Sequence, residues 1–192
     1  MIGVLALQGA FQKHYDCLTK IDVECCFVKH LEDLKACSGL IIPGGETTAH
    51  LRLLKEPFWN ALIEFGKVKP IFGTCCGLIL LSTKIVGLPV PTLKLIDLIT
   101  ERNAYGTQLD SFEDVVEAKL NGHLVFIKGC FIRAPKILEV GSDVKVLATH
   151  DQSPVIVQQG LHIACTFHPE ISMDTSLHEY FAGHCTSNSL SI

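Results

Sequence analysis

Short runs of valine, isoleucine and leucine alternate with amphipathic stretches through the first half of the chain, and this alternation predicts βα units on a parallel sheet. Buried strands are predicted at residues 2–7, 23–28, 39–45 and 69–75, the third ending abruptly at Pro43. Helices are predicted from the first strand through about Leu18, at 47–54, at 57–66 with Pro57 near the first turn, and at 77–85.

From about Thr92 the pattern changes to extended segments, which predict antiparallel or mixed strands. These segments are 93–102, 113–120, 123–134, 144–150, 153–159 and 162–169. The last of them is expected to return to the main sheet at 161–167. A final helix is predicted at about 174–185, followed by a frayed tail at about 186–192. No repeat, linker or charge run divides the sequence, so we expect one domain over residues 1–192.

Composition narrows the class of protein. The 192 residues are 48% hydrophobic and 19% charged with a net charge of -4, which gives no electrostatic case for a nucleic-acid partner. The apolar start lacks a basic leader region, and no uninterrupted apolar run approaches the roughly 18 residues of a membrane span. We therefore expect a cytoplasmic protein with no membrane partner.

The nine cysteines include no C-x-x-C pair, which argues against a disulfide framework and against a zinc ribbon. Cys165 and His168 have a spacing that a metal could use, but no second pair lies near them, so no metal site is predicted. Seven cysteines are expected to be small buried hydrophobes: Cys17, Cys25, Cys26, Cys37, Cys130, Cys165 and Cys185.

The stretch GTCCG at 73–77 lies at a predicted strand-to-helix turn. A nucleophile elbow has the form G-x-nucleophile-x-G, because the turn is too tight for side chains two residues before and after. Centring this pattern on Cys75 places glycines at 73 and 77, whereas centring it on Cys76 does not. The helix start favours a thiolate at Cys75, and the Cys76 N–H is placed for an oxyanion. A glycine-flanked turn with two buried thiols is the structural alternative.

Two further stretches carry candidate chemistry. In PGGETT at 43–48, the glycine pair allows an amide to turn toward a ligand, although Thr47 or Thr48 could instead simply cap the next helix. In FHPE at 167–170, the proline keeps the backbone of His168 extended, so the side chains of His168 and Glu170 point the same way. His168 could then act as a general base while Glu170 holds the imidazole ring in orientation. A surface turn is the alternative. The other eight histidines, His14 among them, are predicted to be structural or solvated.

A glycine pair, a G-x-C-x-G turn and a late H-P-E occur in this order and together resemble the class I glutamine amidotransferases, whose triad is Cys, His and Glu. Further stretches narrow the resemblance to the glutaminase subunits of pyridoxal 5'-phosphate synthase. They are GVLALQGAF at 3–11, LIIPGGETT at 40–48, GTCCGLILL at 73–81, ERNAYGTQLDSFE at 101–113, FIRAP at 131–135 and FHPE at 167–170.

The resemblance implies a flavodoxin-like three-layer α/β sandwich with a mostly parallel central sheet and a small antiparallel extension. It implies hydrolysis of L-glutamine to glutamate and ammonia through a γ-glutamyl thioester, with no cofactor. The ammonia would pass to a synthase subunit that makes pyridoxal 5'-phosphate, within a large hetero-oligomer that has a dodecameric synthase core.

By the same resemblance, Cys75 is the nucleophile, His168 the general base and Glu170 its orienter. The backbone N–H groups of Gly45 and Cys76 would form the oxyanion hole, and Gln8 would couple docking of the synthase to activity. The residues that match the family's substrate contacts are Gly45, Glu46, Thr47, Arg102, Ile132 and Arg133.

Three positions depart from the family pattern. Cys76 stands where alanine is common, Thr47 where serine is common, and Thr107 where a basic residue often follows YG. A second thiol would make the site easier to oxidise. Two other functions stay open at this point: a stand-alone cysteine hydrolase of the γ-glutamyl hydrolase kind, and a non-catalytic docking or regulatory subunit.

Overall fold

The computed structural model describes residues 1–102 and 111–187. The strands of this part are β1 (Ile2–Leu5), β2 (Cys25–Val28), β3 (Gly39–Ile42), β4 (Ile71–Thr74), β5 (Ser82–Val86), β6 (Ile96–Glu101), β7 (Phe112–Leu120), β8 (His123–Phe131), β9 (Lys136–Val140), β10 (Lys145–His150), β11 (Ser153–Gln159) and β12 (His162–Cys165). The helices are α1 (Phe11–Lys20), α2 (Leu31–Lys35), α3 (Thr47–Leu53), α4 (Phe58–Val68), α5 (Cys76–Leu81) and α6 (Ser176–Ser187).

The main sheet has nine strands in the order β2-β1-β3-β4-β12-β11-β10-β7-β8. The first five are parallel to one another, and the other four continue the sheet in antiparallel pairs. Strand β12 pairs with β4, with Cys165 opposite Thr74, so the last extended segment returns to the main sheet as predicted. This pairing brings the end of β12 beside the end of β4, where the elbow begins.

Alternate residues of the central strands enter different halves of the core, because successive side chains of a strand point to opposite faces. In β3, Ile41 packs in the half that holds α1 and α6, while Leu40 and Ile42 pack in the half that holds α2, α4 and α5. Every residue of β3 is buried, as expected for a strand covered on both faces. The sheet is therefore the middle of three layers.

A smaller sheet of strands β5, β6 and β9 packs on the α4 and α5 side of the main sheet, where Ile96 and Leu98 join the same core. Strand β5 is parallel to β6, and β9 is antiparallel to it. The predicted fold class, an α/β sandwich with a largely parallel sheet and a smaller one beside it, is confirmed. The antiparallel part is larger than expected, because four strands also extend the main sheet.

Several predicted boundaries were wrong. The helix predicted at 77–85 ends at Leu81, because the Ser82 hydroxyl donates to the carbonyl of Ile79 over 2.7 Å and the residues beyond it pair with β6. Helix α2 and strand β9 were not predicted. Helix α6 continues past residue 185 to Ser187, and residues 188–192 of the predicted tail lie outside the described part.

Among the residues that the structure describes, no helix combines the length and the apolar character that a bilayer crossing requires.

Candidate active site

Cys75 occupies the turn between β4 and α5. Its backbone has φ 50° and ψ -102°, a positive φ that is rare for a residue with a side chain and costs of order 1–3 kcal/mol. The turn is held in place by the Cys75 N–H, which donates to the carbonyl of Cys165 on β12 over 2.9 Å. The thiol is nearly buried, with 7% of the residue exposed. The sequence therefore folds into a strained elbow with Cys75 at its apex.

The two glycines that flank the elbow meet the steric requirement expected from the motif. A Cβ built on Gly73 would lie 2.6 Å from the carbonyl carbon of Gly77, and one built on Gly77 would collide with the carbonyl oxygen of Ile42. Only glycine lets these backbones approach so closely. The predicted reason for the G-x-C-x-G spacing is thus confirmed by the geometry of the turn.

His168 is held beside Cys75 by a backbone pair with Cys130 at the end of β8, in which both N–H groups donate, over 2.9 and 3.3 Å. The His168 side chain and the Cys75 thiol line the same cavity, close enough for the thiol to affect the pKa of the imidazole. On its other side, His168 Nδ1 lies 2.7 Å from Glu170 Oε1, which is fully buried. The predicted contact across Pro169 is present, and the three side chains form a chain of thiol, imidazole and carboxylate.

Electrostatics favour a charged imidazole in this chain. Burial alone would lower the pKa of His168, but contact with Cys75 and with the Glu170 carboxylate outweighs it and raises that pKa well above its ordinary value. Burial would also raise the pKa of Glu170, yet the neighbouring His14 and His168 lower it to about 2. His168 can therefore accept a proton readily while Glu170 stays ionised.

A second buried histidine lies behind the triad. His14 Nε2 is 3.5 Å from Glu170 Oε1 and 3.1 Å from the Thr74 hydroxyl, and His14 Nδ1 is 2.9 Å from His178 Nε2. The Thr74 hydroxyl also accepts the N–H of Gly44 over 3.0 Å. Burial lowers the pKa of His14, which favours its neutral form. A polar network thus runs from the Glu170 carboxylate to the loop at residues 43–48, which we call the glycine loop.

The glycine loop leads into helix α3. The residue that caps the N-terminus of α3 is Glu46, and not Thr47 or Thr48. The Glu46 carboxylate caps α3 by accepting the N–H groups of Thr48 and Ala49 over 3.3 and 2.8 Å, and it accepts the Thr48 hydroxyl as well. The Thr48 hydroxyl, followed by these amides, lowers the pKa of Glu46. A longer acidic side chain has therefore taken the capping position.

Gln8 lies against this loop. Its amide accepts the Glu46 N–H over 3.3 Å and donates to the Glu46 carbonyl over 3.1 Å, and it also contacts His50 Nδ1. A Cβ on Gly45 would overlap the Gln8 side chain, so Gly45 lets the two segments touch. Gln8 is thus placed to sense or to fix the orientation of the peptides around Gly45.

Cys76 is the other thiol of the elbow, and it points into the protein. It is 1% exposed, its Sγ lies 3.5 Å from Thr47 Oγ1 and 3.3 Å from His50 Nδ1, and burial raises its pKa to about 12. A thiol with such a pKa is a poor nucleophile at neutral pH. The Cys76 sulfur therefore packs against Thr47 and His50 of α3.

Cys75 and His168 line a cavity of about 230 Å³. Its lining also includes Gly44, Gly45, Glu46, Thr47, Arg102, Ile132 and Arg133. Arg102 Nη2 lies 3.4 Å from Glu46 Oε1, and Arg133 is exposed at the rim. The structure thus brings the predicted site residues, apart from Glu170 and Gln8, to the lining of one small cavity, and two of them are cations. Thr107 and the rest of residues 103–110 lie outside the described part.

The comparison with protein families agrees with this geometry. The model described as the SNO glutamine amidotransferase family matches residues 4–187. The chain belongs to this family.

Relatives of this amidotransferase match it along most of their length. A protein of Thermotoga petrophila named pyridoxal 5'-phosphate synthase subunit PdxT is 46% identical over 182 residues, which cover 94% of this chain and 96% of the relative. A protein of the same name from Oenococcus oeni is 45% identical over 181 residues, covering 94% of each. A crystal structure of a glutamine amidotransferase has a TM-score of 0.90 at 39% identity and covers 96% of this chain and 98% of that one.

Two residues of the amidotransferase site, His14 and His50, were not predicted as functional. His14 shares the buried face of α1 with Cys17 and Leu18, which follow it by three and four residues. This helical spacing is the pattern in the sequence that could have predicted that His14 is buried. Its contact with Glu170 joins residues 156 positions apart (170 − 14) and has no local pattern. The same holds for the contact of His50 with Cys76.

Gly77→Ala is expected to destabilise the amidotransferase by about 1–3 kcal/mol, because its methyl group must displace the backbone at Ile42. The melting temperature should fall by several degrees, and alkylation of Cys75 should slow as the elbow distorts. The matched control is Gly183→Ala in α6, where a Cβ would meet nothing within 4 Å. Equal melting temperatures for the two variants would contradict the packing argument.

Proposed function

We propose that this chain is the glutaminase subunit of a pyridoxal 5'-phosphate synthase and hydrolyses L-glutamine to L-glutamate and ammonia. The observation that carries the proposal is the chain of Cys75, His168 and Glu170, in which Cys75 and His168 line a small cavity and His168 contacts the buried Glu170 at 2.7 Å. Membership of the glutamine amidotransferase family and relatives named PdxT support the same assignment.

The first step is attack of the Cys75 sulfur on the side-chain carboxamide of glutamine. His168 takes the thiol proton, and the raised pKa of its imidazole favours this transfer. Glu170, ionised because its pKa is held at about 2, holds the imidazole by Nδ1 and stabilises the positive charge. The carbonyl oxygen becomes an oxyanion in the tetrahedral intermediate.

Two backbone N–H groups, those of Gly45 and Cys76, would receive this oxyanion. Both residues line the cavity around Cys75. His168 then gives its proton to the departing nitrogen, ammonia leaves, and a γ-glutamyl thioester on Cys75 remains. Water activated by His168 hydrolyses the thioester to glutamate and restores the thiol.

The charged end of glutamine would bind near the rim of the cavity. Arg102 and Arg133 supply the cations that an α-carboxylate requires, and Ile132 lines the same cavity. Glu46 contacts Arg102 at 3.4 Å and also caps α3. One carboxylate therefore stabilises the start of the helix and holds the arginine that would bind the substrate. The volume of about 230 Å³ is below the roughly 300–1,000 Å³ of pockets for larger ligands and suits an amino acid.

Ammonia is useful as a nucleophile only before it is protonated in bulk water. We therefore propose that the chain docks on a synthase subunit, in a hetero-oligomer built on a dodecameric synthase core, and passes ammonia to it directly. This coupling requires that hydrolysis be slow when no acceptor is docked.

The glycine loop supplies a means of control. The Gly44 carbonyl accepts the Ala10 N–H over 3.4 Å, and in a planar trans peptide the Gly45 N–H points the opposite way. Rotation of this peptide would sacrifice one long hydrogen bond, a small cost for a Gly-Gly pair. Gln8, which bonds both the N–H and the carbonyl of Glu46, would transmit docking of the synthase to this peptide.

The test is steady-state glutamine hydrolysis by the purified chain while a synthase subunit is titrated in. We expect glutamate release to be low for the chain alone and to rise to a plateau at saturation. Gln8→Leu keeps the size of the side chain but removes its amide. This variant should show a smaller increase in glutamate release when the synthase subunit is added.

Full activity without the synthase subunit, and no rise on its addition, would contradict the coupling and favour a stand-alone hydrolase. No glutamate release under any condition, with Cys75 intact, would favour a non-catalytic docking subunit.

A further inference from the structure

His14 is a fully buried imidazole that the three-residue triad does not use. It comes from α1, whereas His168 and Glu170 follow β12, so two separate segments converge on one carboxylate. His14 Nε2 lies 3.5 Å from Glu170 Oε1, the same oxygen that contacts His168 Nδ1 at 2.7 Å. The carboxylate that orients the base is thus itself faced by a second ring.

The ring of His14 is fixed from its other side as well. Its Nδ1 lies 2.9 Å from Nε2 of His178 on α6, and its plane stands at 84° to the ring of Phe72 on β4. His178 is also fully buried. Both ring nitrogens of His14 therefore have polar partners, and α1, β4 and α6 together determine its orientation.

A second branch leads from His14 to the glycine loop. His14 Nε2 lies 3.1 Å from the hydroxyl of Thr74, the residue before the nucleophile. That hydroxyl accepts the Gly44 N–H over 3.0 Å, and a Cβ on Gly44 would come 3.2 Å from Cys75 Cβ. His14 thus contacts one group that positions the base and another that positions the loop beside the nucleophile.

We infer that His14 is a positioning residue of the glutaminase, whose Nε2–H donates to the Thr74 hydroxyl over 3.1 Å and faces the Glu170 carboxylate at 3.5 Å, and so holds the base and the glycine loop in one arrangement. The inference rests on the proposed function. A lone pair at Nε2 would face the carboxylate at 3.5 Å, so the Nε2–H tautomer is the one that stabilises the ionised Glu170. Nδ1 then accepts a hydrogen bond from His178 Nε2–H.

The charge state of the surrounding groups supports this arrangement. The titratable groups that face His14 are Glu170, His168 and His178. Burial lowers the pKa of His14 and lowers that of His178 to about 3, which favours the neutral form of both rings. A cationic His14 would neutralise Glu170 and oppose the charge on His168. The neutral ring orients the carboxylate and leaves its charge to His168.

Two substitutions separate the action of Nε2 from the packing of the ring. The amide nitrogen of His14→Gln can occupy the place of Nε2, whereas that of His14→Asn reaches only the place of Nδ1. Loss of a hydrogen bond to a charged group corresponds to roughly a ten- to hundredfold change in rate. We expect His14→Asn to lose this much in kcat with little change in KM, and His14→Gln to retain most of kcat.

The matched control is His162→Asn. His162 is a buried histidine that accepts the N–H of Ile71 over 3.3 Å at the other end of β12, away from the triad. Turnover is measured for each variant with a saturating synthase subunit, and folding is followed by thermal melting. Equal losses of kcat in His14→Gln and His14→Asn, or in His14→Asn and His162→Asn, would overturn the positioning role.

The rate at which iodoacetamide alkylates Cys75 in the chain without a partner gives an independent measurement. We expect His14→Asn to slow this reaction, because His168 is less well oriented to take the thiol proton, and His14→Gln to slow it less. If Cys75 of the wild-type chain is alkylated normally but the chain hydrolyses no glutamine, the proposed function fails. The role of His14 is then still tested by comparing the alkylation rates of the two variants with that of the wild type. Identical alkylation rates in all three proteins would overturn it.

Discussion

Cys75→Ala is expected to lower glutamine hydrolysis by roughly 10⁴- to 10⁶-fold, as removal of a triad nucleophile does in other hydrolases. Alanine keeps the Cβ, so the backbone at φ 50° and ψ -102° need not change and the variant should fold like the wild type. What disappears is the sulfur that helps to raise the pKa of His168. Glutamate release in the presence of a saturating synthase subunit is the measurement.

Cys76→Ala is the matched control, because it removes a thiol one residue away. The Cys76 sulfur contacts Thr47 and His50. Its removal leaves a small buried gap, which should destabilise the chain by about 1 kcal/mol. The backbone N–H, which is the part assigned to the oxyanion hole, is unchanged. Most activity should remain.

A diazoketone analogue of glutamine distinguishes the two thiols directly. Fragmentation of the labelled peptide by mass spectrometry should place the adduct on Cys75. An adduct on Cys76 would show that the elbow assignment, and with it the mechanism, is wrong.

The elbow could be predicted because its geometry depends on near neighbours in the sequence. The turn requires glycines at 73 and 77, since side chains there would meet the backbone of Gly77 and of Ile42. That requirement is visible as a spacing in one chain. The contact between His168 and Glu170 was predictable for the same reason, because the two residues are separated only by Pro169.

The missed elements have weak local patterns. Helix α2 has five residues and begins with a capping box between His30 and Asp33, too short for a helical period to be read. Strand β9 alternates little and exposes three of its five residues. The residues of β5 directly follow a helix with no turn residue between, and only their pairing with β6 makes them a strand. In each case partners distant in the sequence decide the structure.

The polar interior was the least predictable part of the site. His14, His50 and Thr74 belong to no recognisable motif of their own, and nothing near them in the sequence indicates what they contact. Glu46 caps α3 although Thr47 and Thr48 are the more usual kinds of capping residue beside it, because its longer side chain folds back onto the first turn. Only the packing of α1, β4 and the loop at 43–48 brings His14 to Glu170 and His50 to Cys76.

Glu170→Gln should have the second largest effect. Glutamine has nearly the same shape, so it can fill the buried site, but it carries no charge to stabilise a protonated His168. By analogy with the orienting carboxylate of serine hydrolases, kcat should fall roughly 10²- to 10⁴-fold with a smaller change in KM. Glu113→Gln, at an exposed carboxylate paired with Lys128 at 2.9 Å, is the control and should keep full activity.

The pH dependence of stability gives this prediction a second test. Because the pKa of Glu170 is depressed from its ordinary value of 4.5 to about 2, its contribution to stability is complete above the ordinary value and is lost as the pH falls toward 2. Glutamine does not titrate, so Glu170→Gln lacks this component. Its melting temperature should lie below that of the wild type at neutral pH, and the gap should narrow on acidification from about pH 5 to about pH 3. A gap that stays constant over this range, together with unchanged kcat, would remove Glu170 from the site.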